Sequence, residues 1–298
     1  MIKCAYRQSL HANNFDFLRF LFALFVVISH AYPLSGASES KQWLYQLTNG
    51  QIVLARLGLD VFFVISGYFI FKSLQRSNTL LEYFKKRFLR LFPALFVVLV
   101  LTLMLIPLVY EGDIPFYLNT AYYTYLPNNL SLYLFQPVIN GVFDVNHYHS
   151  INGSLWTIRY EFSMYIGVAF LFYFRNHDKI VKVVLLYVTM CFLMLNSFYL
   201  DRFSGSKLFG MNGYEFLDLG AFFVFGSTLA VFDFGNIKRK SLLLAIILLL
   251  LGITIYFNMY SLIKHILLSM AIILLGFMSY SIRNNFGKFG DASYGIYI

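Results

Sequence analysis

The sequence predicts an all-α, polytopic transmembrane helical bundle, and three observations carry that expectation. Of 298 residues, 59% are hydrophobic and only 12% charged, and the mean hydropathy of +0.67 lies well above that of soluble globular domains. Apolar stretches recur along the whole chain at intervals of roughly 20 residues, the length an α-helix needs to cross about 30 Å of hydrocarbon. The runs "LLLAIILLLLGITIYF" and "FPALFVVLVLTLMLIPLVY" do not alternate, which sets aside the dyad pattern of a transmembrane β-barrel.

Spans are predicted near 15–34, 57–73, 91–110, 155–174, 181–200, 216–233, 241–260 and 262–282, with a ninth beginning about 289. Lys3 and Arg7 precede the first, and Lys72, Arg76, Lys85, Lys86, Arg87 and Arg90 surround the second connection, so the positive-inside rule puts both in the cytoplasm. Arg175, Lys179 and Lys182, then Lys238, Arg239 and Lys240, then Arg283 and Lys288 fall on that same side by alternation. The expected location is a bacterial inner membrane, with the N-terminus cytoplasmic. The longest connection, from Glu111 to about Ser154, lies outside, and residues 91 to 158 contain no Lys or Arg. Within it "FYLNTAYYTYLPNNLSLYLF", rich in Tyr and Asn and broken by Pro127, reads as an interfacial segment rather than a full span.

The net charge of +9 sits in short segments between apolar runs, so it signals topology and not nucleic-acid binding. Two cysteines, Cys4 and Cys191, give no disulfide framework. The first apolar run follows "MIKCAYRQSLHANN", is too long for a signal-peptide core, and lacks a clear small-x-small cleavage site. No internal repeat, coiled coil or separate soluble domain is apparent; residues 1–298 read as one transmembrane domain.

Three polar groups interrupt this pattern. In the first span Arg19 and His30 are eleven residues apart, about 20° out of register on one face and about 16 Å apart along the axis, with Asp16 near the same stripe. Ionisable groups inside a membrane usually face the bundle interior, so the aligned pair suggests function; Arg19 as a topology anchor and His30 as a headgroup-facing cap is the bland alternative. In "LEYFKKRFLRLFPALF", Arg87 and Arg90 share a helix face ahead of Pro93, where two guanidiniums suit a phosphate or serve as ordinary topology signals. In "INGSLWTIRYEFSMYI", Glu161 lies inside its helix with Tyr165 one turn on, while Arg159 points elsewhere and Trp156 suits an interfacial belt. A buried carboxylate there needs a partner from another helix or a polar cavity.

Together "NNFDFLRFLFALFVVISH", "LGLDVFFVISGYFIF", "YFKKRFLRLFPAL", "INGSLWTIRYEFSMYI" and the final "FGDASYGIYI" resemble, in order and over nearly the whole chain, the signatures of the integral-membrane acyltransferase-3 family of the O-antigen and exopolysaccharide acetylase type. The resemblance implies a bundle of about ten helices, the last one and a half missing here, that moves an acyl group, usually acetyl from cytoplasmic acetyl-CoA, to a hydroxyl of a cell-surface glycan or lipid-linked sugar. The family's Arg, ten residues, His falls on Arg19 and His30, and its Arg-x-x-Arg on Arg87 and Arg90. Related sequences continue past Ser-Tyr through a further His and another helix, so the chain is expected to be truncated at its C-terminus and to lack the fused esterase-like domain of some relatives.

On that footing His30 is the expected base, because its unperturbed pKa suits deprotonation of an alcohol near neutrality. Glu161 is the expected partner that orients the imidazole. Arg19, Arg87 and Arg90 are expected to gather the phosphates of acetyl-CoA, with no metal and no nucleic acid involved. The competing hypothesis, a proton-coupled small-anion transporter, also uses intramembrane Arg, His and Glu, but would show paired Gly/Pro-interrupted helices in two halves, which the sequence lacks. A noncatalytic scaffold for envelope assembly would leave the polar stripe unexplained.

Overall fold

The computed structural model describes residues 13–278. Lys3, Cys4, Arg7, Arg283, Lys288, the predicted ninth span and the motif at 289–298 lie outside the described residues. Nine principal helices follow: α1 (Phe15–Leu34), α2 (Leu54–Arg76), α3 (Leu80–Val109), α4 (Thr120–Leu130), α5 (Ile158–Ala169), α6 (Asp178–Tyr199), α7 (Gly213–Val231), α8 (Lys240–Tyr256) and α9 (Tyr260–Gly276). The only sheet among the described residues is a two-stranded hairpin, Lys207–Leu208 with Met211–Asn212. The protein is an all-α, multi-pass membrane bundle.

Burial divides the helices by role. In the most apolar stretches of α2 and α7, 72% and 78% of residues are buried, against 17% in α3 and 11% in α6. The first pair is therefore the core, and the second turns its Leu, Val and Phe side chains outward to lipid. Backbones come close along α2 and α7 because small residues face each other: a Cβ on Gly67 would collide with the Phe223 backbone, and one on Gly226 with that of Val64. Ser227 Oγ donates to Gly67 O at 3.0 Å across the same seam. Membrane helices associate through such close approach because lipid supplies no hydrophobic drive between them.

α1 packs antiparallel on α2 in a readable register. Gly58 abuts Phe22 and Val26, and Phe15 stacks on Tyr68 with centroids 6.3 Å apart. The chain alternates ends thereafter: Lys72 pairs with Asp233 at 2.6 Å, and Asn14 N–H donates to Gly276 O at 2.8 Å. The start of α1, the end of α2 and the start of α3 thus share one end of the bundle, called here the basic end.

Several boundaries differ from expectation. α3 begins at Leu80, eleven residues early, because Thr79 Oγ1 accepts from Glu82 N–H at 3.1 Å while Glu82 Oε2 accepts from Asn78 N–H at 2.8 Å, a reciprocal cap. It runs unbroken through Pro93 and Pro107. The span predicted at 155–174 is α-helical only over Ile158–Ala169 and tightens to 3-10 turns at Gly153–Thr157 and Phe170–Phe174. The Pro127 segment is the short helix α4, tied down where Asn129 Nδ2 donates to Gln136 O at 3.0 Å and Gln136 Nε2 to Ala121 O at 2.8 Å.

Candidate active site

At the basic end three helices enclose a cavity of about 330 Å³ lined by Arg19, Phe69, Ser73, Arg76, Lys86, Arg87 and Arg90. Five of the seven are cationic, and no carboxylate is among them. Arg19 reaches the cavity because helical side chains lean toward their helix N-terminus, here the basic end; its guanidinium carbon lies 5.5 Å from the Phe69 ring centroid and its Nη1 3.8 Å from Asp16. Arg76, last residue of α2, donates from Nε to Lys72 O at 3.0 Å.

Arg87 is the most constrained cation. It is 8% exposed, donates from Nη2 to Ser73 Oγ at 3.0 Å, and sits 5.7 Å and 5.9 Å from the ring centroids of Tyr83 and Tyr165. Its buried Nε has no hydrogen-bond partner. A guanidinium held by aromatic faces with a donor left over is built to meet an acceptor that the protein does not supply. The three arginines expected to act together, Arg19, Arg87 and Arg90, do converge on this cavity.

Glu161 lies behind this cavity and not on its lining. Its Oε1 accepts from Ser66 Oγ at 2.7 Å and from the Tyr165 hydroxyl, and its charge acts on Arg87. Tyr83 in turn donates to Tyr165 O at 3.0 Å. This satisfies the need for a partner from another helix. It does not place Glu161 beside His30. In the α1–α2 register Ser66 stands level with the first turn of α1, about 13 residues and so roughly 20 Å along the axis from His30. The expected orienting pair is therefore not formed, because helix register separates the two in depth. Arg159 points away, as expected, donating to Trp156 O at 3.2 Å and stacking over Phe135 and Tyr160.

His30 is half-buried in the opposite half of α1. Among the described residues its ring hydrogen-bonds no other side chain, and the carboxylate whose charge acts on it is Glu39, in the turn Glu39–Lys41 that follows α1. Its neighbour Ser29 accepts from Gln42 Nε2 at 2.8 Å, and Gln42 Oε1 accepts from Leu54 N–H at 3.1 Å, so a buried amide clamps the His30 turn to the start of α2.

A second polar cluster was missed from the sequence. Arg56 on α2 donates to Glu215 and Asp218 on α7 and lies 3.2 Å from Asp60. Asp218, fully buried, also takes Lys264 Nζ at 2.8 Å and His265 Nε2 at 2.7 Å from α9. The signal was present as charges inside apolar runs: Arg56 and Asp60 at i, i+4, Glu215 and Asp218 at i, i+3, and the adjacent Lys264 and His265.

Comparison with known proteins agrees with the sequence motifs. A family model described as an acyltransferase domain matches residues 13–298. An O-acetyl transferase of Shigella phage Sf6 is 29% identical over 230 residues, covering 74% of this chain and 63% of that protein. Nodulation protein 10 of Rhizobium leguminosarum bv. viciae is 32% identical over 184 residues, 54% of this chain and 44% of its own. The chain thus spans less than two thirds of the length of either relative. No solved structure matches it.

Proposed function

The chain belongs to the acyltransferase-3 family, and on that premise we propose that it is a membrane O-acetyltransferase that carries an acetyl group from acetyl-CoA to a hydroxyl of a cell-surface glycan or lipid-linked sugar. The observation that carries this reading is the basic-end cavity, where five cationic side chains and the unpaired Arg87 Nε face one space. That donor set fits a multiply charged phosphate ligand such as the nucleotide half of acetyl-CoA. The name of the Sf6 relative supports the acetyl group and the oxygen acceptor.

In this reading Arg19, Arg76, Lys86, Arg87 and Arg90 hold the phosphates in the cytoplasm of a bacterium, with the N-terminus on that side of the inner membrane. His30, about 16 Å further along α1 from Arg19, takes the proton of the acceptor hydroxyl as its oxygen attacks the thioester carbonyl. The carbon–sulfur bond then breaks, and the imidazolium returns the proton to the departing thiolate, so the histidine ends neutral. The charge of Glu39 favours the imidazolium, and Glu161, held by Ser66 and Tyr165, adds a negative charge in reach of Arg87. Mass analysis of surface polysaccharide from the host with and without the gene tests the reading: an acetyl increment that depends on the gene is expected, and identical glycans would overturn it.

A further inference from the structure

The cluster at the end of the bundle opposite the basic end lines a cavity of about 330 Å³, walled by Arg56, Asp60, Glu215, Asp218 and Lys264 and flanked by Tyr214 and Tyr260. Its size is at the small end of the roughly 300–1,000 Å³ usual for small-molecule sites. The charges nearly cancel: three carboxylates share the Arg56 guanidinium, and Lys264 and His265 both bind Asp218. Such a pocket has little net charge to offer a multiply charged anion. It does offer donors and acceptors side by side.

One acceptor lacks a donor. Asp60 is 1% exposed, and its Oδ1 accepts no hydrogen bond, the 3.2 Å approach of Arg56 Nε being out of line for one. A buried carboxylate oxygen left in that state is costly, and a ligand O–H aimed into the pocket would relieve it. A hydroxyl both donates and accepts, so several on one ring can answer carboxylates and guanidinium alternately, while tyrosine rings flank the apolar faces of the ring. The depth also fits, because Gln42 ties the turn before His30 to Leu54, and Ile52 and Val53 line this cavity.

We infer that this pocket binds the acceptor as a neutral, polyhydroxylated sugar ring, held between Asp60, Glu215 and Arg56. The inference rests on the proposed transferase reading for its purpose but not for its test. Saturation-transfer difference NMR on the purified full chain in detergent, with methyl α-D-glucopyranoside, methyl α-L-rhamnopyranoside and methyl N-acetyl-β-D-glucosaminide as probes and no acyl-CoA, reads occupancy directly. At least one glycoside is expected to receive saturation. That signal should fall about tenfold in Glu215→Gln and in Tyr214→Ala, whose side chains are partly exposed and whose folding is checked by melting, and persist in Arg87→Lys. No signal from any glycoside, or a signal that survives both outer variants, overturns the site. Acetyl-CoA binding by the same samples is scored separately, so loss of the transferase reading leaves a glycoside result standing, and the reverse.

Discussion

At one end of the bundle Arg19, Arg76, Lys86, Arg87 and Arg90 share a cavity with no carboxylate on its wall; at the other, Arg56 and Lys264 share one with Asp60, Glu215 and Asp218. The two cavities are alike in volume and both lie where three helices diverge. They differ in what balances the charge. The opposite-end cluster is balanced by the protein itself, with each cation inside hydrogen-bonding reach of a carboxylate. The basic end has Glu82 on Lys86 at 2.7 Å and Asp16 3.8 Å from Arg19, both off the cavity wall, and holds Arg87 against aromatic rings with its Nε unpaired. Self-balanced charge fixes structure, whereas unbalanced charge waits for a ligand.

The sharpest way to break that contrast is to remove the carboxylate on which the opposite end depends. Asp218→Ala strands Arg56, Lys264 and His265 around a fully buried position. Breaking a buried ion pair from one side costs about 3–5 kcal/mol, so a large drop in melting temperature or loss of folded yield in detergent is expected. A variant that melts like wild type would mean that the cluster is solvated and carries no structural charge balance.

Next in size is His30→Gln, which leaves both charge clusters intact. Removing a general base should lower acetyl transfer by about 10²-fold or more, with acetyl-CoA affinity and melting temperature unchanged. Transfer at the wild-type rate would remove His30 from the chemistry. Smaller still is the double replacement of Arg87 and Arg90 by Lys, which keeps the charge and loses the planar fork. Acetyl-CoA binding is expected to weaken by about tenfold while stability holds, a pattern the self-balanced end would not give; unchanged affinity would return these arginines to a topological role.

The two ends also differ in how far the sequence exposed them. The helices announced themselves through length and apolarity, and α1 falls on its predicted bounds. Arg19, Arg87 and Arg90 were found because each sits in a local pattern of spacing within its own helix. The opposite cluster was not, because its members come from α2, α7 and α9, far apart in the chain, and only helix packing, closest for α2 and α7 at Gly67 and Gly226, brings them together. Glu161 was recognised as a carboxylate in need of a partner, yet that partner, Ser66, is set by how α5 packs on α2, and its depth relative to His30 by the α1–α2 register. A single sequence fixes the angle of a residue around its helix and not its depth against a neighbour.

The smallest expected effect concerns Glu161, a carboxylate whose charge reaches Arg87. The Tyr165 hydroxyl and Ser66 hold its Oε1, which keeps the charge in reach of Arg87 without an ion pair between them. Tyr165→Phe removes one of those donors but leaves the ring against Arg87 and the bond from Tyr83 to the Tyr165 carbonyl. Glu161 can then turn to Arg87 and compete with phosphate, so acetyl-CoA affinity should fall by roughly threefold to tenfold, in line with one hydrogen bond of about 0.5–1.5 kcal/mol. If the carboxylate is the cause, Tyr165→Phe should have no further effect on affinity in a Glu161→Gln background, a coupling that a double-mutant cycle measures. Additive losses in the double variant would instead assign the effect to packing around Tyr165 and leave Glu161 without a part in tuning the arginine wall.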